Sequence, residues 1–107
     1  MPIKQKTSQL ADVTALTVLY VAPASTNSVA ASVIICNRTA GELTFDVAVV
    51  PGGGTVADKN YIYFEHTIPA KDTFAATIGI GLTATDEISV KGSAVGLSFS
   101  FTGPEFT

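Results

Sequence analysis

The side chains able to move a proton, hold a metal or attack an electrophile are few in this sequence, and they are scattered. His66 is the only histidine and Cys36 the only cysteine. One of each falls short of a zinc site, which needs three or four protein ligands. Asp86 and Glu87 are adjacent. Neighbours on a strand point to opposite faces, so they do not form a paired-carboxylate centre. Asp58, Asp72, Asp86 and Glu87 lie near turn-rich segments where a surface calcium ion could bind, but no EF-hand spacing accompanies them. A Ser-His-Asp triad would have to recruit His66, and no Gly-x-Ser-x-Gly elbow is present. Gly52-Gly53-Gly54 follows an apolar run as phosphate loops follow strands, yet the Gly-Lys-[Ser/Thr] ending is missing and Lys59 comes too late. Gly79-Ile80-Gly81 is not a dinucleotide fingerprint, and the Asn37-Arg38-Thr39 sequon has meaning only in a secreted chain. The expectation is a non-enzymatic chain with no cofactor and no metal.

His66 and Cys36 have simpler explanations. Cys36 closes the apolar run Val33-Ile34-Ile35-Cys36 and is expected as a buried small hydrophobe. His66 is expected on one strand face with Ile62, Phe64 and Ile68, partly buried and hydrogen-bonded. What remains is contact chemistry. Tyr61 and Tyr63 are expected on the face opposite Phe64. Outward tyrosines are interface anchors, although a second sheet over them would explain them equally. Arg38 is the only arginine and offers a planar fork to a carboxylate, on a turn or on a neighbouring subunit, with the structural role favoured. Ile3 lies in the polar segment Pro2 to Leu10, which is free to reach a neighbour. Tyr61, Tyr63, Arg38 and Ile3 are the candidate interface residues.

Strands must position these residues, because the dominant period is two. Leu97, Phe99 and Phe101 alternate with Ser98, Ser100 and Thr102. Phe45, Val47 and Val49 alternate with Thr44, Asp46 and Ala48. Thr73 to Ile80 and Glu87 to Lys91 alternate likewise. Thr14 to Val21 is rich in β-branched and aromatic residues, Asn60 to Ile68 is aromatic, and Val29 to Asn37 is apolar enough for a central strand covered on both faces. Turn-rich segments separate these runs, among them the tight Pro69-Ala70-Lys71-Asp72 and a longer, more flexible loop from Pro51 to Lys59. Ser8 to Val13 is open to a short helical turn. The pattern predicts one all-β domain over 1–107, an antiparallel β-sandwich of about seven or eight strands, jelly-roll-like or immunoglobulin-like, with residues 1–10 able to extend as an N-terminal arm.

Composition bounds the role. The chain has 107 residues, 47% hydrophobic and only 14% charged, where an ordinary soluble domain has about 25% charged. Area scaling gives roughly 5,600 Å² exposed when folded against roughly 16,000 Å² unfolded, enough burial for a modest core. Few charges remain to cover that surface, so part of it is expected to be covered by other subunits, in a homo-oligomer, most simply a trimer. Net charge is −3, and no Lys/Arg cluster supplies the positive field a nucleic acid requires. No apolar run approaches the ~20 residues of a membrane span, and nothing at the N-terminus reads as a secretion signal. The expectation is no nucleic-acid and no membrane partner, and synthesis in a cytoplasm.

Several segments together resemble a known group. They are Leu19-Tyr20-Val21-Ala22-Pro23, Ser32 to Thr39 with its Cys36-Asn37-Arg38, Phe45 to Val49, Asn60 to Tyr63, Ile68 to Phe74 with its Ile-Pro-Ala-x-Asp-Thr-Phe, and Leu97 to Glu105. The chain resembles small virion structural proteins of tailed bacteriophages, including those of cyanobacteria and marine bacteria. The resemblance implies a place in the virion, as a capsid cement or decoration protein whose partner is the major capsid protein or another virion protein. It also allows a tail or baseplate component; the alternative to cement is such a tail-fibre or baseplate part, or a receptor- or glycan-binding module for which the outward tyrosines Tyr61 and Tyr63 and the Pro51 to Lys59 loop would be the contact surface.

Overall fold

The computed structural model describes residues 3–106, with the side chain of Ile3 outside the described set. Eight strands run β1 (Ile3–Ala11), β2 (Thr17–Val21), β3 (Asn27–Asn37), β4 (Leu43–Val50), β5 (Tyr61–Ile68), β6 (Thr73–Leu82), β7 (Glu87–Gly92) and β8 (Leu97–Phe106). They form two four-stranded antiparallel sheets of order β1-β8-β3-β6 and β2-β7-β4-β5. Each strand of the first half pairs with its mirror in the second: β1 with β8, β2 with β7, β3 with β6, β4 with β5. That is one long antiparallel ribbon, rolled so that β8 also joins β3 and β7 also joins β4. The result is a jelly roll rather than an immunoglobulin sandwich.

Seven of the strands coincide with the expected ones, four read from alternation and three from β-branched, aromatic or apolar content. The eighth, β1, replaces the helical turn expected at Ser8 to Val13. Its residues Ile3–Ala11, expected as an arm, pair one for one with Phe106 down to Ser98 of the same chain. As an edge strand β1 buries little. Leu10 packs against the core opposite Phe99, and Ser8 donates its hydroxyl to Leu19 O at 2.5 Å. Lys4, Gln5, Lys6, Thr7 and Gln9 are polar, which leaves only a faint alternation to read. Lys4 and Lys6 suit an edge that must not recruit further strands.

The core lies between the sheets, with Phe45, Phe99, Phe101, Ile35, Ile88 and Leu97 fully buried at its centre. Tyr20 stacks on Phe101 at 4.4 Å and 12°. The accessible surface of 5525 Å² agrees with the roughly 5,600 Å² expected for this mass.

Bulges break the strict alternation in four strands, β2, β3, β5 and β6. In β2 an extra residue between Val18 and Tyr20 lets the neighbours Leu19 and Tyr20 both bury. In β6 the extra residue falls at Gly79, whose φ of 60° suits glycine. β3 advances four positions from Ser28 to Ser32 where β8 advances three, and the bulges in β5 shape the site described below.

At one end of the roll, Asp86 ties two loops together. Its carboxylate accepts N–H bonds from Gly52 at 2.8 Å and Thr83 at 3.0 Å. These bonds hold its pKa below the ordinary carboxylate value. The start of the Pro51 to Lys59 loop, Pro51–Gly53, is a 3-10 turn, and Asp86 links it to the Thr83 to Asp86 turn.

Candidate functional site

The register places Thr7, Gln9 and Ala11 of β1, Ser98, Ser100 and Thr102 of β8, Ser32, Ile34 and Cys36 of β3, and Thr73, Ala75 and Thr77 of β6 on the outer face of the first sheet. These rows alternate with the buried Leu97, Phe99, Phe101, Val33 and Ile35. None of the twelve outer side chains is charged. The expectation that β3 is covered on both faces is corrected: β3 is central in its sheet, but Ile34 remains 41% exposed at the middle of this face. Cys36, expected as a buried hydrophobe, is also on this outer row and only half-buried. The apolar run Val33 to Cys36 reflects a core row plus an uncharged outer row, not two cores.

Arg38 and Asn37 stand at one margin of the face. Arg38 pairs with Asp12, and its Nε donates to Ser98 Oγ at 2.8 Å. Asp12 in turn accepts the Gly96 N–H at 2.9 Å, so the arginine joins the β1–β2, β3–β4 and β7–β8 connections. The carboxylate it was expected to seek lies in its own chain. Asn37 is 1% exposed. Its Nδ2 donates to the carbonyls of Gly41, Ile68 and Pro69, and its Oδ1 accepts from Thr39 N and Thr39 Oγ1. The Cys36-Asn37-Arg38 motif and the Pro69 turn are therefore two halves of one fastening.

Tyr61 and Tyr63 do not share a face. In β5, three residues span from His66 to Tyr63 where β4 spans two, from Phe45 to Val47, and a second shift follows between Val47 and Ala48. Glu65 takes a φ of 49° at the first of these bulges. The extra residues turn Tyr63 and His66 together toward Phe45 and Phe74, with ring centroids 4.8–6.1 Å apart. His66 is thus grouped with Tyr63 and not with Phe64, and it is exposed rather than partly buried, in ring contact but without a side-chain hydrogen bond among the described residues. The same bulge sends Tyr61 and Phe64 outward as an edge-on pair at 5.0 Å and 72°. Phe64 is 62% exposed. It was expected toward the interior and is the most exposed aromatic of the anchor group.

This pair borders a groove of about 190 Å³ on the outer face of the second sheet, lined also by Asp46, Glu65, Lys91 and Ser93. Asp46 is 7% exposed. Its Oδ1 accepts the Glu65 N–H at 2.7 Å, which holds the bulge in place. Among the described residues its Oδ2 has no hydrogen-bond partner, and no buried side-chain polar atom is left unsatisfied, so this oxygen opens to the groove. Lys91 is the register partner of Asp46, and Ser93 Oγ accepts the Thr44 N–H at 3.0 Å. Phe64, Asp46, Lys91 and Ser93 were missed in the sequence because three separate strands and a turn bring them together. The one available signal was Asp46, the single charge in Leu43–Val50.

The groove thus unites Tyr61 with residues outside the expected set, while Tyr63 and Arg38 lie elsewhere and Ile3 falls at the start of β1, its side chain outside the described residues. Among the described residues no three His, Cys, Asp or Glu side chains gather in a metal-binding cluster, and no helix is long and apolar enough to cross a membrane.

No family model and no curated protein matches the sequence. The fold does match solved structures. A chain of the acid-stable capsid of Helicobacter pylori bacteriophage KHP30 aligns with a TM-score of 0.56 and 13% identity over 98% of this chain and 87% of that one. A chain of the T13 particle of infectious bursal disease virus aligns with a TM-score of 0.55 and 13% identity over 96% of this chain. This chain spans 30% of that longer one. The eight-stranded roll is thus a fold found in viral capsid structures.

Proposed function

We propose that the chain is a structural subunit of a virus particle, that of a tailed bacteriophage, and that it acts as a capsid cement or decoration protein. The observation that carries the reading is the uncharged outer face of β1-β8-β3-β6 on a roll of the kind found in capsid chains. A four-stranded face bearing only Ser, Thr, Ala, Gln, Ile and Cys loses no ionic hydration when covered. The roll matches 87% of the chain from the Helicobacter pylori phage capsid, which supports a capsid component built on this fold. Binding the assembled shell and not its free subunits would stabilise the shell by mass action. In this reading the major capsid protein is the partner, and the chain self-associates as a trimer, with the segment before β2 at the contact between copies. Light scattering on the purified chain tests the trimer; an 11 kDa species at high concentration would remove it.

The copy number per purified particle tests the role. Hundreds of copies are expected for cement. A dozen or fewer would move the chain to the tail or baseplate, and its absence from particles would overturn the reading.

A further inference from the structure

We infer that the groove between Phe64 and Asp46 is a saccharide-binding site that accepts one neutral pyranose ring. The groove lies on the face opposite the proposed shell contact, so the inference stands apart from the cement reading.

Two independent observations lead to a ligand. The first is Phe64. It is 62% exposed, braced edge-on by Tyr61, and displayed by a backbone that enters the left-handed region at Glu65. Folding alone gains little from a ring placed in water by a strained bulge. The second is Asp46. The residue is 7% exposed, its Oδ1 accepts the Glu65 N–H, and its Oδ2, which has no protein donor among the described residues, is open to the groove. An accessible carboxylate oxygen with no protein donor is an acceptor ready for a hydroxyl that enters the groove.

The remaining groups select the class. Lys91, directly across from Asp46 in the register, supplies donors. Ser93 Oγ already accepts from Thr44 N and keeps its own proton to give. A pyranose has an apolar C–H face to lay on Phe64 and a rim of hydroxyls that donate to Asp46 and accept from Lys91 and Ser93. A phosphate or other anion meets Asp46 and Glu65, two carboxylates, and is disfavoured. A purely apolar ligand would strip water from Asp46 without replacing it. The volume of about 190 Å³ is below the ~300 Å³ of ordinary drug-sized pockets and suits a single ring.

The test is a titration of the full chain, followed by amide NMR shifts, with the methyl pyranosides of glucose, galactose, mannose and N-acetylglucosamine, alongside a glycan array. At least one sugar should give saturable shifts at Glu65, Lys91 and Ser93 with a Kd on the order of 1 mM, the strength open to so small a ligand. Phe64→Ala should abolish those shifts. Its side chain is mostly exposed, so the variant keeps its fold, which its amide spectrum verifies. Asp46→Asn, which retains an acceptor for Glu65 N–H, should weaken binding at least tenfold. The inference is overturned if no sugar on the panel or array binds, if binding survives Phe64→Ala, or if an arginine-bearing peptide shifts these amides while sugars do not. A Phe64→Ala chain that loses the sugar and still binds shells separates this site from the cement role.

Discussion

Tyr63 and His66 stand three positions apart in one strand and nevertheless face the same side, their rings 5.6 Å apart and nearly perpendicular. Strict alternation would place them on opposite faces. The bulge at Glu65 inverts the phase of β5, and that inversion puts Phe64 in solvent beside a half-buried Tyr61, while Tyr63 packs toward Phe45 and Phe74 with the exposed His66 ring against the same group.

The bulge should be sensitive to the residue at its left-handed position. Glu65→Gly relieves the φ of 49° and is expected to be neutral or stabilising, whereas the β-branched Glu65→Val should cost about 1–2 kcal/mol. Urea denaturation of the two variants checks the order, and a Val variant as stable as the Gly variant would contradict it.

Asn37 should tolerate no replacement. Its amide donates to three carbonyls from the β3–β4 connection and the Pro69 turn. Asn37→Asp keeps the shape but turns the donors into acceptors, so a loss of about 3 kcal/mol or more is expected at neutral pH. Protonating that carboxyl restores one donor, so the loss should shrink in acid. Chemical denaturation at two pH values reads both effects.

Gly103 marks the closest approach of β8 to β3. A methyl there would lie 1.9 Å from Val29 O, where backbone must give way. Gly103→Ala should cost about 3 kcal/mol, at or beyond the usual range for overpacking. Gly81→Ala, with nothing within 4 Å, should be neutral or slightly stabilising and serves as the comparison.

Tyr20 should report on alkaline stability. Burial, reinforced by its hydrogen bond to Glu105 at 2.5 Å, pushes its pKa up to about 12 from 10.0. The raised value means the fold favours the protonated phenol. Its contribution is therefore complete below pH 10 and lost as pH rises toward about 12. Tyr20→Phe should be less stable at neutral pH yet show a shallower loss across that window. Parallel slopes for the two proteins would contradict the assignment.

The legibility of the sequence followed the strength of its alternation. Leu97 to Thr102 separates core from surface without error, and β8 is where expected. β1 looks like an arm in sequence because only Ser8 and Leu10 of its Lys4 to Leu10 stretch are even partly buried, so an edge strand resembles a tail. Strand β5 was found, but its faces were assigned by counting in twos, and Glu65, an ordinary charged residue, gives no glycine-like sign of a bulge. The jelly-roll order was hidden because it depends on pairings between distant strands such as β1 with β8. The groove was hidden for the same reason.

The central claim is that the uncharged face of β1-β8-β3-β6 seats this chain on a viral shell. Its most direct test is to titrate the purified chain onto shells that lack it and to count bound copies, comparing the native chain with Ile34→Lys. Ile34 is 41% exposed at the middle of that face, so a lysine should leave the fold intact while placing a charge in the contact. The account predicts saturable binding of the native chain at a fixed number of copies per shell, and a loss of at least tenfold in affinity for Ile34→Lys with the thermal midpoint unchanged. Native binding that Ile34→Lys leaves intact, or no binding at all, would contradict it.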